Sequence, residues 1–222
     1  MELQELKQKS NIKVLLEGQS GRGKTQTSCE IALDVLDRGG SVLFLDTEAE
    51  GSTTLVELID KHGYDEDIVD ELEYKQVDDL ATLKQQLESC SDYDLLVVDT
   101  LDHKHSYVLK SVTDAKRESD ADWQEYASIY SEEKEVMELI GKPRTNIIAT
   151  IDPDSGSRDK PKGAQTNIRG YFTVVLRMMR SEEEWTHKIV NWVGHGDKIG
   201  MAHPNIVQKL SEEVMERTKV EA

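Results

Sequence analysis

Short runs of consecutive apolar residues alternate with longer stretches in which apolar positions recur every third or fourth residue. The runs Ile12–Leu16, Ser41–Leu45, Leu95–Val98 and Asn146–Ile151 leave almost no polar side chain for either face, as in strands covered on both sides. Glu73–Val77 is a weaker strand of the same kind. Between these runs the spacing turns helical. Ile31, Ala32, Val35 and Leu36 predict a helix from Lys24 to Leu36, stopped by Gly39-Gly40. Leu55, Leu58 and Ile59 predict a short helix, and Leu80, Leu83 and Leu87 another that ends near Cys90. Polar sequence then leads to a helix from Trp123 to Ile140, with Tyr126, Ile129, Tyr130, Val136, Met137 and Ile140 on its apolar side.

Strand and helix alternate up to residue 151, which predicts an α/β fold with a mostly parallel sheet and crossover helices. Tyr171–Met178 and Trp185–Val193 predict two late strands that extend the sheet antiparallel, and Ile206–Val214 predicts a closing amphipathic helix. The expected organisation is a polar lead-in over 1–11, one core over 12–202 and a C-terminal helix over 203–222.

Charge changes the picture in one place. Lys and Arg number 27 against 44 Asp and Glu, a net charge of −17, so the chain as a whole repels polyanions. Between Lys142 and Arg180, however, eight basic residues face three acidic ones. That window includes the segment Asp152–Gly170, rich in Pro, Gly, Ser and charge, and long loops of this kind are often functional. No apolar run approaches the ~18 residues of a membrane span, and Met1 is followed by no basic-then-apolar leader. Cys29 and Cys90 have no zinc-type spacing and suit reduced thiols, so a cytoplasmic setting is expected, in a prokaryotic host if the chain is viral.

The sharpest motif is Gly18-Gln19-Ser20-Gly21-Arg22-Gly23-Lys24-Thr25, which fits G-x-x-x-x-G-K-[ST] between an expected strand and an expected helix. Glycines let such a loop wrap with its N–H groups turned inward on phosphate oxygens, while the next helix points its N-terminus at the same charge. Lys24 would reach the β- and γ-phosphates of ATP, and the Thr25 hydroxyl would ligate Mg2+. Leu95–Asp99 is an apolar strand ending in a carboxylate suited to support that ion. Leu43–Glu48 is a second strand, ending Asp-Thr-Glu, which delivers Glu48 beyond the carboxyl edge, where it could orient water for attack on the γ-phosphate.

Together the phosphate loop, Asp46-Thr47-Glu48 and Leu95–Asp99 resemble the RecA-like P-loop ATPases. Within them the chain is most similar to the phage and viral AAA ATPases of the single-strand-annealing, minimal RadA-like type. Trp123-Gln124-Glu125-Tyr126, Asn146–Thr150, Pro161-Lys162-Gly163 and Tyr171–Val175 carry that likeness, which spans about residues 12–202. It implies a RecA-like ATPase core, ATP hydrolysis with Glu48 catalytic and Asp99 on magnesium, and head-to-tail homo-oligomers as a ring or filament. A neighbour's basic residue would then reach the γ-phosphate, and the matching stretch here is Gly196-Asp197-Lys198-Ile199, with Lys198 in place and Gly196 where a first basic residue stands in the family pattern. The second DNA-binding loop maps to Asp152–Gly170, which puts Arg158, Lys160, Lys162 and Arg169 on single-stranded DNA.

Two classes of function follow. One is an ATPase acting on single-stranded DNA in phage-type recombination or replication. The other is a KaiC-like regulatory or assembly ATPase without nucleic acid, which the net charge favours. A small-molecule kinase could use the same loop, but no acceptor pocket is recognisable. His103 and His105 lack a third ligand and suit a solvated surface, and Trp185 and Trp192 suit a strand core.

Overall fold

The computed structural model describes residues 11–64, 71–112, 122–142, 145–152, 168–180, 185–192 and 205–218. Seven strands form one sheet: β1 (Lys13–Glu17), β2 (Val42–Asp46), β3 (Leu72–Gln76), β4 (Leu95–Asp99), β5 (Asn146–Ile151), β6 (Val174–Arg180) and β7 (Trp185–Trp192). Their order across the sheet is β3-β2-β4-β5-β1-β6-β7. The helices are α1 (Lys24–Asp37), α2 (Gly51–His62), α3 (Leu80–Ser89), α4 (Lys104–Val112), α5 (Trp123–Gly141) and α6 (Ile206–Thr218).

The apolar runs lie where two-sided burial requires. β2 and β4 are buried at every position, and β1 and β5 at all but one. Alternate side chains feed two cores. Val14, Leu16, Phe44 and Val97 pack with α1, α2 and α6, whereas Leu15, Leu43, Leu96 and Ala149 pack with α3, α4 and α5. Among the described residues, no helix is long and apolar enough to cross a membrane.

The late strands form the expected antiparallel pair. β6 lies parallel to β1, and β7 alone turns back on β6. The connections explain this. The 22 residues between β5 and β6 allow a crossover, while the four between β6 and β7 permit only a hairpin. A helix absent from the sequence expectation, α4, follows a 3-10 turn over Leu101–His103. Among its described side chains, Lys104, Tyr107 and Val108 are buried, and Leu109 and Val112 pack partly buried against the core. Polar bonds add to this packing: Tyr107 Oη donates to Val77 O at 2.7 Å and Thr47 O at 3.3 Å. On α5, an Asp122–Glu125 capping box sets the start. Ile129, Val136, Met137 and Ile140 face the core as expected, but Tyr130 is 60% exposed because it lies about 100° around the helix from Ile129.

Asn146 ties three elements at the amino edge of the sheet. Its Oδ1 accepts from Ile12 N–H at 3.0 Å, and its Nδ2 donates to Asp94 O at 2.9 Å and Val214 O at 3.5 Å. Asn146→Leu leaves the buried Ile12 N–H and Asp94 carbonyl unpaired. Chemical denaturation should show a loss of about 1–3 kcal/mol per orphaned group.

Candidate nucleotide site

The parallel strands deliver their chain ends to one edge, and the polar residues of the motifs meet there. After β1, Gly18 N–H donates to Ile151 O at 3.1 Å, so the loop leaves the sheet beside β5. The loop closes through Gly23, whose φ of 80° would strain a side chain, and α1 begins at once with Lys24. No side chain caps α1, so its first N–H groups and its positive dipole end face outward from the loop. Lys24 Nζ rests on the loop itself, donating to Gly18 O at 2.8 Å and Gln19 O at 3.3 Å.

A second wall comes from β2. Asp46 is fully buried, yet its carboxylate accepts from Glu48, Ala49 and Gly51 N–H at 2.9, 2.8 and 2.7 Å and from Tyr74 Oη at 2.6 Å. Burial, and then this bond to Asp46, push the Tyr74 phenol up to about 12, so it stays a donor. The four bonds fold the segment after β2 into a tight turn in which Ala49 adopts a φ of 62°. Glu48 is thereby projected into the cleft, while Asp46 is a structural anchor with no capacity left for chemistry. Gly51 is required here because a Cβ would sit 2.8 Å from Asp46 Oδ2 and 2.9 Å from Phe44 Cε1.

β4 supplies the floor. Thr47 and Thr100 exchange bonds of 2.9 Å, and Thr47 N–H donates to Asp99 O at 2.8 Å, which stitches the ends of β2 and β4 together. Asp99 is buried and accepts from the Thr150 hydroxyl and from Thr25. Burial pushes its carboxyl up; the Thr150 and Thr25 hydroxyls partly counter this, as Lys24 does from further away. A carboxylate desolvated this way, beside a hydroxyl, fits a hard divalent cation with oxygen ligands. Among the described residues no group of three or more His, Cys, Asp or Glu could hold a metal alone.

Ser20, Gly21, Gly23, Lys24, Thr25, Glu48 and Asp99 all line one open cleft of about 730 Å³. Gly18, Gln19 and Arg22 belong to the same loop and shape it from behind. Further residues of the cleft had no nucleotide-site role in the sequence expectation, among them His103, Asp102 and Asp152. His103 is not a lone surface group: its Nε2 lies 3.3 Å from Glu48 Oε1. The Glu48 carboxyl is pushed up, first by burial and then by Asp99, Glu50 and Asp102, with His103 pulling the other way. Asp152 accepts from Ser20 N–H at 2.9 Å and donates its own N–H to Asp102 at 2.8 Å. The Asp-Thr-Glu turn was a visible signal for Asp46, but nothing local marks His103, 55 residues from Glu48. Arg169 lies apart from the cleft, on Glu17. Arg158, Lys160, Lys162 and Lys198 lie outside the described residues, as do the side chains of Trp185, Trp192 and His105.

A sequence profile described as an AAA domain matches residues 10–209. No curated protein matches the chain. Among solved structures it is similar to the RadB recombinase, at 16% identity and a TM-score of 0.56, over 86% of this chain and 84% of that one. It is also similar to the flagellar accessory protein FlaH from Methanocaldococcus jannaschii, at 16% identity and a TM-score of 0.53, over 82% and 78%. At that identity the likeness establishes the fold, a RecA-like P-loop fold.

Gly51→Ala tests the Asp46 anchor. The added methyl must displace Asp46 or Phe44, so thermal unfolding should show a loss of about 1–3 kcal/mol. The turn that carries Glu48 would shift with Asp46.

Proposed function

We propose that this chain, which belongs to the AAA domain family, is an ATP hydrolase that acts on single-stranded DNA in phage-type recombination or replication. The observation that carries the hydrolase is the convergence of Lys24, Thr25, Asp99 and Glu48 on one cleft from three separate strand ends. Backbone N–H groups of the loop and the Lys24 ammonium would take the β- and γ-phosphates. In that role Lys24 exchanges two carbonyl contacts for phosphate oxygens, a move of its side chain alone. Thr25 and Asp99 would hold Mg2+, which supplies charge neutralisation of the phosphoryl oxygens when bound.

Glu48 would take a proton from the attacking water. Its carboxyl holds a proton to higher pH than an ordinary glutamate does, which brings it nearer the neutral range where a general base works best. Turnover should therefore fall with acidification at a pH above that of an unperturbed glutamate. Lys198 is proposed to reach the γ-phosphate of a neighbouring subunit in a ring or filament, by likeness to the RecA-like pattern.

Support for single-stranded DNA comes from the basic window between Lys142 and Arg180 and from similarity to a recombinase. A second reading, a KaiC-like regulatory or assembly ATPase without nucleic acid, is favoured by the net charge of −17 and by the comparable similarity to a flagellar accessory protein. The two part on one measurement. ATP turnover should rise on adding single-stranded DNA if the first is right, and stay level if the second is.

Two substitutions test the hydrolytic site. Lys24→Ala should abolish productive ATP binding in a titration with a fluorescent nucleotide, and turnover with it; parental turnover would refute the phosphate-loop role. Glu48→Gln keeps the shape but cannot accept the proton. It should lower kcat by about 10²–10⁴-fold with little change in nucleotide affinity.

A further inference from the structure

Behind the phosphate loop, on the sheet face that carries α5, lies a group of cations that the nucleotide site does not use. Glu17, the last residue of β1, is 1% exposed. Two arginines share its carboxylate. Arg169 places Nε and Nη2 on Oε2 at 2.8 and 2.6 Å, and Arg177 of β6 places Nε and Nη2 on Oε1 at 2.8 and 2.6 Å. Each guanidinium thus commits one edge to the buried anion, and both side chains remain 47% exposed. Directly across the β6–β7 ladder from Arg177 stands Lys188, also exposed. Residues paired this way share a face with Cβ atoms about 5 Å apart, and like charges so placed are destabilising.

Two arginines on one carboxylate and a lysine paired with one of them thus place three cations close together on a chain of net charge −17. A structural clasp for Glu17 needs one arginine, and it does not need Lys188. An anion bridging the outward edges would relieve the repulsion, and the arginines already stand in fixed rotamers, so little side-chain entropy is lost on binding. The spread over β6, β7 and the turn at Ile168–Tyr171 suits a repeating anion better than a single one.

We propose that Arg169, Arg177 and Lys188 form a phosphate-binding face on the β6–β7 end of the sheet, for the backbone of single-stranded nucleic acid. This rests on the single-stranded DNA reading above and adds Arg177 and Lys188 to the contacts that the sequence suggested. Its chemistry is charge recognition of phosphate without base contacts, so binding is indifferent to sequence and sensitive to salt.

The test is fluorescence anisotropy of a labelled oligo-dT with the full chain, ATP and magnesium, between 50 and 200 mM salt. Each lost contact flattens the log–log salt slope by about 0.7, so Arg177→Ala/Lys188→Ala should flatten it by about 1.4. Across that fourfold rise in salt, the parent should lose about sevenfold more affinity than the double variant. Arg169 still pairs Glu17 in that variant. Lys188→Glu, a surface change that touches no part of the clasp, should weaken binding more than Lys188→Ala does. Parental affinity and slope in both Lys188→Glu and the double variant would overturn this inference while leaving the DNA reading in place. Displacement of the oligonucleotide by an equal concentration of inorganic phosphate would assign the face to a free anion and also overturn it. No binding by the parent would remove both.

Discussion

Side chains of β1, β2, β4 and β5 are buried on both faces of the sheet, so polar groups find little room along these strands except at their ends. Everything chemical in the molecule follows from that crowding. Glu17, Asp46 and Asp99 are the final residues of β1, β2 and β4, and all three are buried carboxylates at one edge. The parallel arrangement puts these ends side by side, and β5 brings Thr150 between β1 and β4 to bond Asp99. An antiparallel sheet of the same strands would have scattered them over two edges.

Each buried carboxylate is compensated differently, and the difference assigns its part. Asp46 has its acceptor capacity filled by three backbone N–H groups and a phenol, which makes it an anchor for the turn that carries Glu48. Glu17 is matched by guanidinium charge and joins β1 to β6 and to the turn before it. Asp99 accepts from the Thr150 and Thr25 hydroxyls, and burial still pushes its carboxyl up. A buried carboxyl in that condition is harder to ionise than an exposed one, and it lines the same cleft as Lys24 and Thr25.

His103 adds a feature to the cleft that the phosphate-loop pattern alone does not contain. It sits at the end of a 3-10 turn directly after β4, with its ring edge-on to Tyr107 at 6.0 Å. Tyr107 in turn bonds the carbonyl of Thr47, the residue before Glu48. The carboxylate and the imidazole that meets it are thus positioned by one short network, so a shift of α4 would move both.

Local pattern along the chain was enough for the phosphate-loop motif, the strands, the helices with apolar stripes and the strand ends that carry Asp99 and Glu48. These depend on local backbone demands and on which faces are buried, and both leave a period in the chain. It did not yield α4, where a few core side chains stand among polar ones and Tyr107 adds hydrogen bonds to distant carbonyls, nor the exposure of Tyr130, which a run of neighbouring apolar residues hides. Strand order and register are set by which apolar faces pack together across the whole domain, and no local period records them. Only the tertiary structure could therefore decide that β6 runs parallel beside β1, that Lys188 stands opposite Arg177 and that His103 meets Glu48. Each of these pairings joins residues brought together by sheet order, and charge or hydrogen bonding between them begins only once the core has closed.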